Sequence, residues 1–149
     1  GYAVSPDGRE VAYTTKLATR DEAWSTNVDV YTVPIDGGAS TLLTRGMPGA
    51  DQNPVYTPDG RAILVASQRR AGFEADRWRL MRVDRATRQA RELLPAWGRN
   101  ADVYAIARDG RAVFIQTGDE GRDKVYRVAL DADGLAQGAP ALVAGAHNN

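Results

Sequence analysis

Ser5-Pro6-Asp7-Gly8-Arg9, Thr57-Pro58-Asp59-Gly60-Arg61 and Ala107-Arg108-Asp109-Gly110-Arg111 are one phrase written three times, with starts 52 and then 50 residues apart. Each copy runs into a short apolar stretch: Val11-Ala12-Tyr13, Ile63-Leu64-Val65-Ala66 and Val113-Phe114-Ile115. Proline presets the backbone for the second position of a turn, aspartate suits the third, and glycine accepts the positive φ that follows a type I turn. A type I turn closed by a glycine bulge is a common hairpin connection. Each copy therefore predicts two antiparallel strands. Arg108 replaces the proline in the third copy, so that turn loses its preset φ but keeps Asp109-Gly110.

Working outward from the second copy, the first strand covers residues 53–57 and the second 62–68. The second strand is apolar on both alternating faces, as expected of a sheet covered on each side. Third strands follow at 28–33, 78–83 and 125–130, and short fourth strands at 41–44, 90–94 and 141–143, after polar turns such as Asp36-Gly37-Gly38 and Asp131-Ala132-Asp133-Gly134. One segment competes with this reading. Residues 77–94 lack glycine and proline and have the composition of an amphipathic helix. Yet Met81-Arg82-Val83 falls in register with Tyr31-Thr32-Val33 and Tyr126-Arg127-Val128, and the shared pattern outweighs local propensity. Four antiparallel strands per ~50 residues make the blade of a β-propeller. The expected fold is all-β: an incomplete β-propeller of about three four-stranded antiparallel blades, at 1–49, 50–98 and 99–149.

Propellers close with about 4–8 blades, so three leave two blade faces open. If each exposes about 300–500 Å² of apolar surface, at about 25 cal/mol per Å² it forgoes roughly 7–12 kcal/mol, rivalling a domain's net stability. The chain therefore reads as a fragment that would be insoluble or homo-oligomeric alone.

Nineteen basic and nineteen acidic residues cancel, which argues against a general nucleic-acid or membrane-surface role. No run is long and apolar enough for a transmembrane helix. All the cations but Lys16 and Lys124 are arginine, a skew that with abundant alanine points to a GC-rich bacterial genome. With no cysteine there is no disulfide, thiolate or cysteine metal site, and the compartment stays open between bacterial cytoplasm and periplasm.

Catalytic chemistry is not expected within these residues. None of Ser5, Ser25, Ser40 and Ser67 lies in a Gly-x-Ser-x-Gly elbow, and His147 is the only histidine. One histidine without cysteine excludes the usual zinc sets. The acidic stretches 119–123 and 131–134 lack the ligand alternation of a calcium loop, and there is no Gly-rich phosphate loop, so neither metal nor cofactor is expected.

The loops joining second and third strands, at 16–27, 69–76 and 118–123, vary in length on a repeating scaffold and would project from one propeller face. The densest is Arg69-Arg70-Ala71-Gly72-Phe73-Glu74-Ala75-Asp76-Arg77-Trp78. Its carboxylates suit a substrate amine and its arginines a carboxylate or carbonyl. Equally, Glu74, Asp76, Arg69 and Arg77 would pair with one another to shape the loop, with Phe73 and Trp78 packed beneath. Arg69, Arg70, Glu74, Asp76 and Arg77 are the candidate substrate-binding residues.

At these residues the chain resembles the propeller domain of the prolyl oligopeptidase family of serine peptidases, in its bacterial dipeptidyl aminopeptidase and acylaminoacyl peptidase branch. The resemblance runs from Ala50-Asp51-Gln52-Asn53-Pro54-Val55-Tyr56 through Ala66-Ser67-Gln68-Arg69 to Leu80-Met81, and again through Gly121-Arg122-Asp123-Lys124. It implies a parent enzyme whose propeller caps a separate C-terminal α/β-hydrolase domain carrying serine, aspartate and histidine. The cap would admit short peptides and exclude folded proteins. In such relatives the propeller also helps to bind the substrate's N-terminal end, a role that falls here to Glu74 with Arg69 or Arg70. Pro-Asp-Gly repeats are shared with the periplasmic Tol propeller, so a non-enzymatic protein-binding module is the alternative.

Overall fold

The computed structural model describes residues 1–16 and 27–145. The described residues form twelve strands and no helix: β1 (Tyr2–Val4), β2 (Glu10–Thr15), β3 (Asp29–Pro34), β4 (Thr41–Leu42), β5 (Asp51–Tyr56), β6 (Ala62–Ser67), β7 (Arg79–Asp84), β8 (Ala90–Glu92), β9 (Val103–Ile106), β10 (Ala112–Asp119), β11 (Arg122–Leu130) and β12 (Ala136–Ala144). They make three four-stranded sheets, β1-β2-β3-β4, β5-β6-β7-β8 and β9-β10-β11-β12. All pairings are antiparallel and stay inside one repeat. The repeat unit is the blade, as the sequence predicts.

The three turns are the same object. Gly8, Gly60 and Gly110 donate backbone bonds of 2.9, 2.8 and 2.9 Å to the carbonyls of Ser5, Thr57 and Ala107, at φ of 70°, 70° and 71°. In each the aspartate accepts from the arginine amide two residues on, at 3.0 Å for Asp7 and Asp59 and 2.9 Å for Asp109. The third turn forms without proline because those bonds and the glycine define it.

The segment of helical composition is strand-turn-strand. Register with β6 captures β7, Ile63 opposite Val83 and Val65 opposite Met81. The helical preference survives as one turn, where the Arg88 amide donates to the Asp84 carbonyl at 2.8 Å.

β6 is buried at every position because the second blade is sandwiched. Ile63 and Val65 pack with Ala12, Val30, Leu43, Tyr56 and Val83 between the first and second blades. Leu64 on the opposite face packs with Leu80, Leu94, Ala101, Val113, Ile115 and Val128 between the second and third. The outer blades each keep an open apolar side: Tyr2 and Val4 on one, Val103 and Phe114 on the other, are exposed.

The first junction is polar at one end. Asp51, at the start of β5, is fully buried, and neither carboxylate oxygen has a hydrogen-bond partner among the described residues. Burial drives its pKa up to about 7, with the hydroxyls of Ser67 and Thr44 opposing the rise and the Asp29 charge adding to it. At the other end Arg85 ties the blades together, reaching Glu10 at 3.1 Å and Asp7 at 3.8 Å.

Most strand ends fall within two residues of expectation, and two regions differ by more. β12 starts at Ala136 rather than 141 and contains register shifts against β11. The segment 118–123 is not an open loop: β10 and β11 pair as far as Asp119 opposite Arg122, and Glu120-Gly121 turn between them at φ of 53° and 74°. Residues 17–26, with Ser25 and most of the expected first loop, lie outside the described residues, as does His147.

Candidate functional site

The segment 69–78 leaves β6 and returns into β7 at one end of the second blade, the position that the Glu120-Gly121 hairpin tip occupies in the third. Its base is fixed by Gln68, which is buried. The Gln68 side-chain amide donates to the carbonyls of Glu74 at 3.2 Å and Asp76 at 2.8 Å. The interblade connector presses on it so closely that a Cβ on Gly49 would lie 2.0 Å from the Gln68 carbonyl oxygen.

Asp76 organises the backbone. One carboxylate oxygen accepts the amides of Arg69 at 2.7 Å and Arg70 at 3.0 Å, and the other accepts the Arg77 amide at 2.9 Å. Burial alone would raise its pKa, but these three amides and the Arg79 charge outweigh it and hold the group below the ordinary carboxylate range. The Arg69 and Arg77 guanidiniums make no ion pair with Glu74 or Asp76. Both reach Glu92, at 3.1 and 3.5 Å. Arg77 also donates to the Trp97 carbonyl, and the Trp78 amide to Asn100 Oδ1 at 3.0 Å.

Two candidates are left facing outward. The Arg70 guanidinium lies 5.3 Å above the Phe73 ring, and Phe73 is 45% exposed rather than packed beneath the loop. The Glu74 side chain is exposed and its carboxylate makes no bond to any described residue, only its backbone carbonyl being engaged. The structure thus brings Arg69, Asp76 and Arg77 into one network and leaves Arg70 and Glu74 presented.

Glu92 and Arg79 belong to this network and were not singled out by the sequence. Arg79 approaches Glu92 at 3.7 Å and Asp76 at 4.0 Å. Its pKa is lowered, first by burial and then by the Arg69 charge. A signal was present for Glu92: it stands opposite Met81 in β8 where the first blade places Leu42 opposite Tyr31.

Across the neighbouring hairpin, Asp119 accepts from Lys124 at 2.7 Å and Arg99 at 3.0 Å, and Arg99 stacks 5.4 Å from the Tyr126 ring. The Lys124 bond is the main reason that Asp119 is held below its ordinary pKa.

No protein-family model matches the chain. Dipeptidyl-peptidase 5 of Porphyromonas gingivalis is 29% identical over 137 residues, which is 91% of this chain and 20% of that protein. The chain is similar to the dipeptidyl-peptidase 5 proteins. This bears out the resemblance to the prolyl oligopeptidase family drawn from its motifs. Solved structures carry the fold independently. TolB from Acinetobacter baumannii superposes with a TM-score of 0.70 at 17% identity, over 95% of this chain and 31% of that one. Puromycin hydrolase superposes with a TM-score of 0.68 at 23% identity, over 97% of this chain and 22% of that one. The β-propeller is therefore established, and the chain spans 20% of the length of the Porphyromonas relative.

Proposed function

We propose that this chain is the non-catalytic, substrate-gating propeller portion of a serine-type peptidase that cleaves short peptides, of dipeptidyl aminopeptidase or acylaminoacyl peptidase type. The similarity to dipeptidyl-peptidase 5 along 91% of the chain carries this reading. Blades at 1–49, 50–98 and 99–149 would form part of a ring over a separate α/β-hydrolase domain that supplies the nucleophile and its base. Rigid blades with variable loops suit such a cap, since the scaffold fixes where binding groups stand.

Within the reading, Arg69, Arg70, Glu74, Asp76 and Arg77 form the substrate-facing loop with divided roles. Glu74, unpaired and exposed, receives the peptide's α-ammonium. Arg70, its guanidinium held over the Phe73 ring, receives a carbonyl or carboxylate. Asp76 acts through the backbone by holding the loop's amides, and Arg69 and Arg77 brace it against Glu92.

The TolB likeness favours a second reading, a propeller that binds proteins and catalyses nothing. The full-length protein decides between them: dipeptidyl- and acylaminoacyl-chromogenic substrates are offered with and without a serine-reactive inhibitor. Inhibitor-sensitive release of chromophore supports the peptidase. Absence of turnover with both substrates rejects it.

A further inference from the structure

Glu92 is a single carboxylate that serves three arginines. Its Oε2 lies 3.1 Å from Arg69, and its Oε1 lies 3.5 Å from Arg77 and 3.7 Å from Arg79. Glu92 and Arg79 are mostly withdrawn from water, with 13% and 9% of their side chains exposed, while Arg77 is 26% and Arg69 67% exposed. Glu92 and Arg79 share the blade face of Met81, by direct pairing for the former and strand alternation for the latter. Among the described residues, Asp76 is the other carboxylate within 4.0 Å of the trio, at 4.0 Å from Arg79.

The charges decide what this does. The loop and its base carry Arg69, Arg70, Arg77 and Arg79 against Glu74, Asp76 and Glu92, four positive to three negative. Asp76 is engaged with backbone amides. Without Glu92, three clustered guanidiniums would stand at the base of the loop that carries Glu74, with one committed carboxylate among them. Glu74 would then be drawn to its own arginines, and an incoming ammonium would meet a positive field.

We propose that Glu92 is the positioning residue that sets specificity at this loop: it neutralises and fixes the arginine trio so that Glu74 stays free for a substrate α-ammonium. The inference rests on the peptidase reading for its substrate and on the three ion-pair distances for its mechanism. Glu92 touches no substrate.

The test uses the full-length protein with Glu92→Gln and Glu92→Asp, assayed on a dipeptidyl substrate with a free amine and on its N-acetylated counterpart. Removing one charge at this range predicts about a tenfold loss of kcat/KM for the free amine, mainly through KM. The acetylated substrate changes little, and Glu92→Asp recovers part of the loss. Equal losses on both substrates, or a lowered melting temperature with unchanged kinetics, would overturn the proposal. Amide hydrogen exchange decides independently of turnover. Glu92→Gln should speed exchange at Arg69, Arg70 and Arg77 while β6 stays protected. Unchanged exchange there overturns the role of Glu92, whereas a wild-type protein without peptidase activity rejects only the peptidase reading.

Discussion

Asp51→Asn tests the least comfortable feature of the fold. Asp51 is a fully buried carboxylate at the first blade junction with neither oxygen hydrogen-bonded to a described residue, and the groups around it are the hydroxyls of Ser67 and Thr44 and the carboxylate of Asp29. Burial raises its pKa from 3.8 to about 7. An acid whose folded pKa exceeds its unfolded value binds its proton more tightly when folded. Stability from this group is therefore full below the unfolded pKa, falls as pH rises from about 4 to 7, and is flat above. A shift of about 3 units at about 1.4 kcal/mol each gives a swing of about 4 kcal/mol.

Asparagine cannot ionise, so the wild type-minus-variant difference isolates this swing. Any packing cost of the amide adds a constant, and other carboxylates cancel. That cancellation matters because Asp7, Asp59, Asp76, Asp84 and Asp119 are all held below their ordinary pKa, and each loses stability as pH falls. Urea unfolding of both full-length proteins from pH 4 to pH 8 should show the variant gaining about 4 kcal/mol on the wild type across that range. A difference constant to within about 1 kcal/mol would refute the reasoning. It would mean that the two hydroxyls hold the charged form well enough to offset burial.

Arg108→Pro should restore the preset φ of the other two turns and stabilise by about 0.4–1 kcal/mol, read from the urea midpoint; a lower midpoint would break the equivalence of the three turns. Glu74→Ala should raise KM for free-amine peptides about ten- to a hundredfold, as expected for a lost charge-assisted hydrogen bond, with a smaller effect on kcat. Unchanged kinetics would remove Glu74 from the site. Residues 1–149 produced alone should be oligomeric or insoluble by size-exclusion chromatography with light scattering, because the faces carrying Tyr2, Val4, Val103 and Phe114 are open. A cooperatively melting monomer would contradict this.

What was legible in the sequence was what short-range chemistry dictates. The Pro-Asp-Gly turns are closed by contacts within five residues, and the same bonds recur at Asp7, Asp59 and Asp109. The strand nature of 79–84 was legible only because three copies could be compared, since propensity alone favours a helix there. The hairpin at 118–123 was missed for the converse reason. Gly118-Asp119-Glu120-Gly121 has loop composition, and only pairing along β10 and β11 draws its flanks into the sheet. In the candidate loop, the acids and bases were visible but their partners were not. Arg69 and Arg77 find Glu92 at the open end of the β7–β8 strand pair, a contact that depends on the register of Met81 with Glu92.

The repeat also conceals a difference between its two junctions. Matching backbone bonds, Asp51 amide to Val28 carbonyl at 2.8 Å and Ala101 amide to Trp78 carbonyl at 3.0 Å, make Asp51 and Ala101 equivalent. By the same alignment Thr44 corresponds to Leu94, and Ser67 to Thr117. The second junction is therefore apolar where the first is acidic, and Leu94 and Ala101 join its core outright. Ser67 is the last residue of β6, one residue before the Gln68 that anchors the candidate loop, and it stands directly opposite both Asp51 and Arg79. Asp51 and Arg79, two strands apart with Ser67 between them, thus share one blade face. Ionisation of Asp51 adds negative charge on the blade face that Arg79 shares, two strands away, so the Asp51→Asn protein should show a weaker hold on Arg79 above pH 7, and faster exchange of the amides that Asp76 retains. Indifference of those amides to the substitution would separate the junction from the loop, leaving Asp51 to govern stability alone.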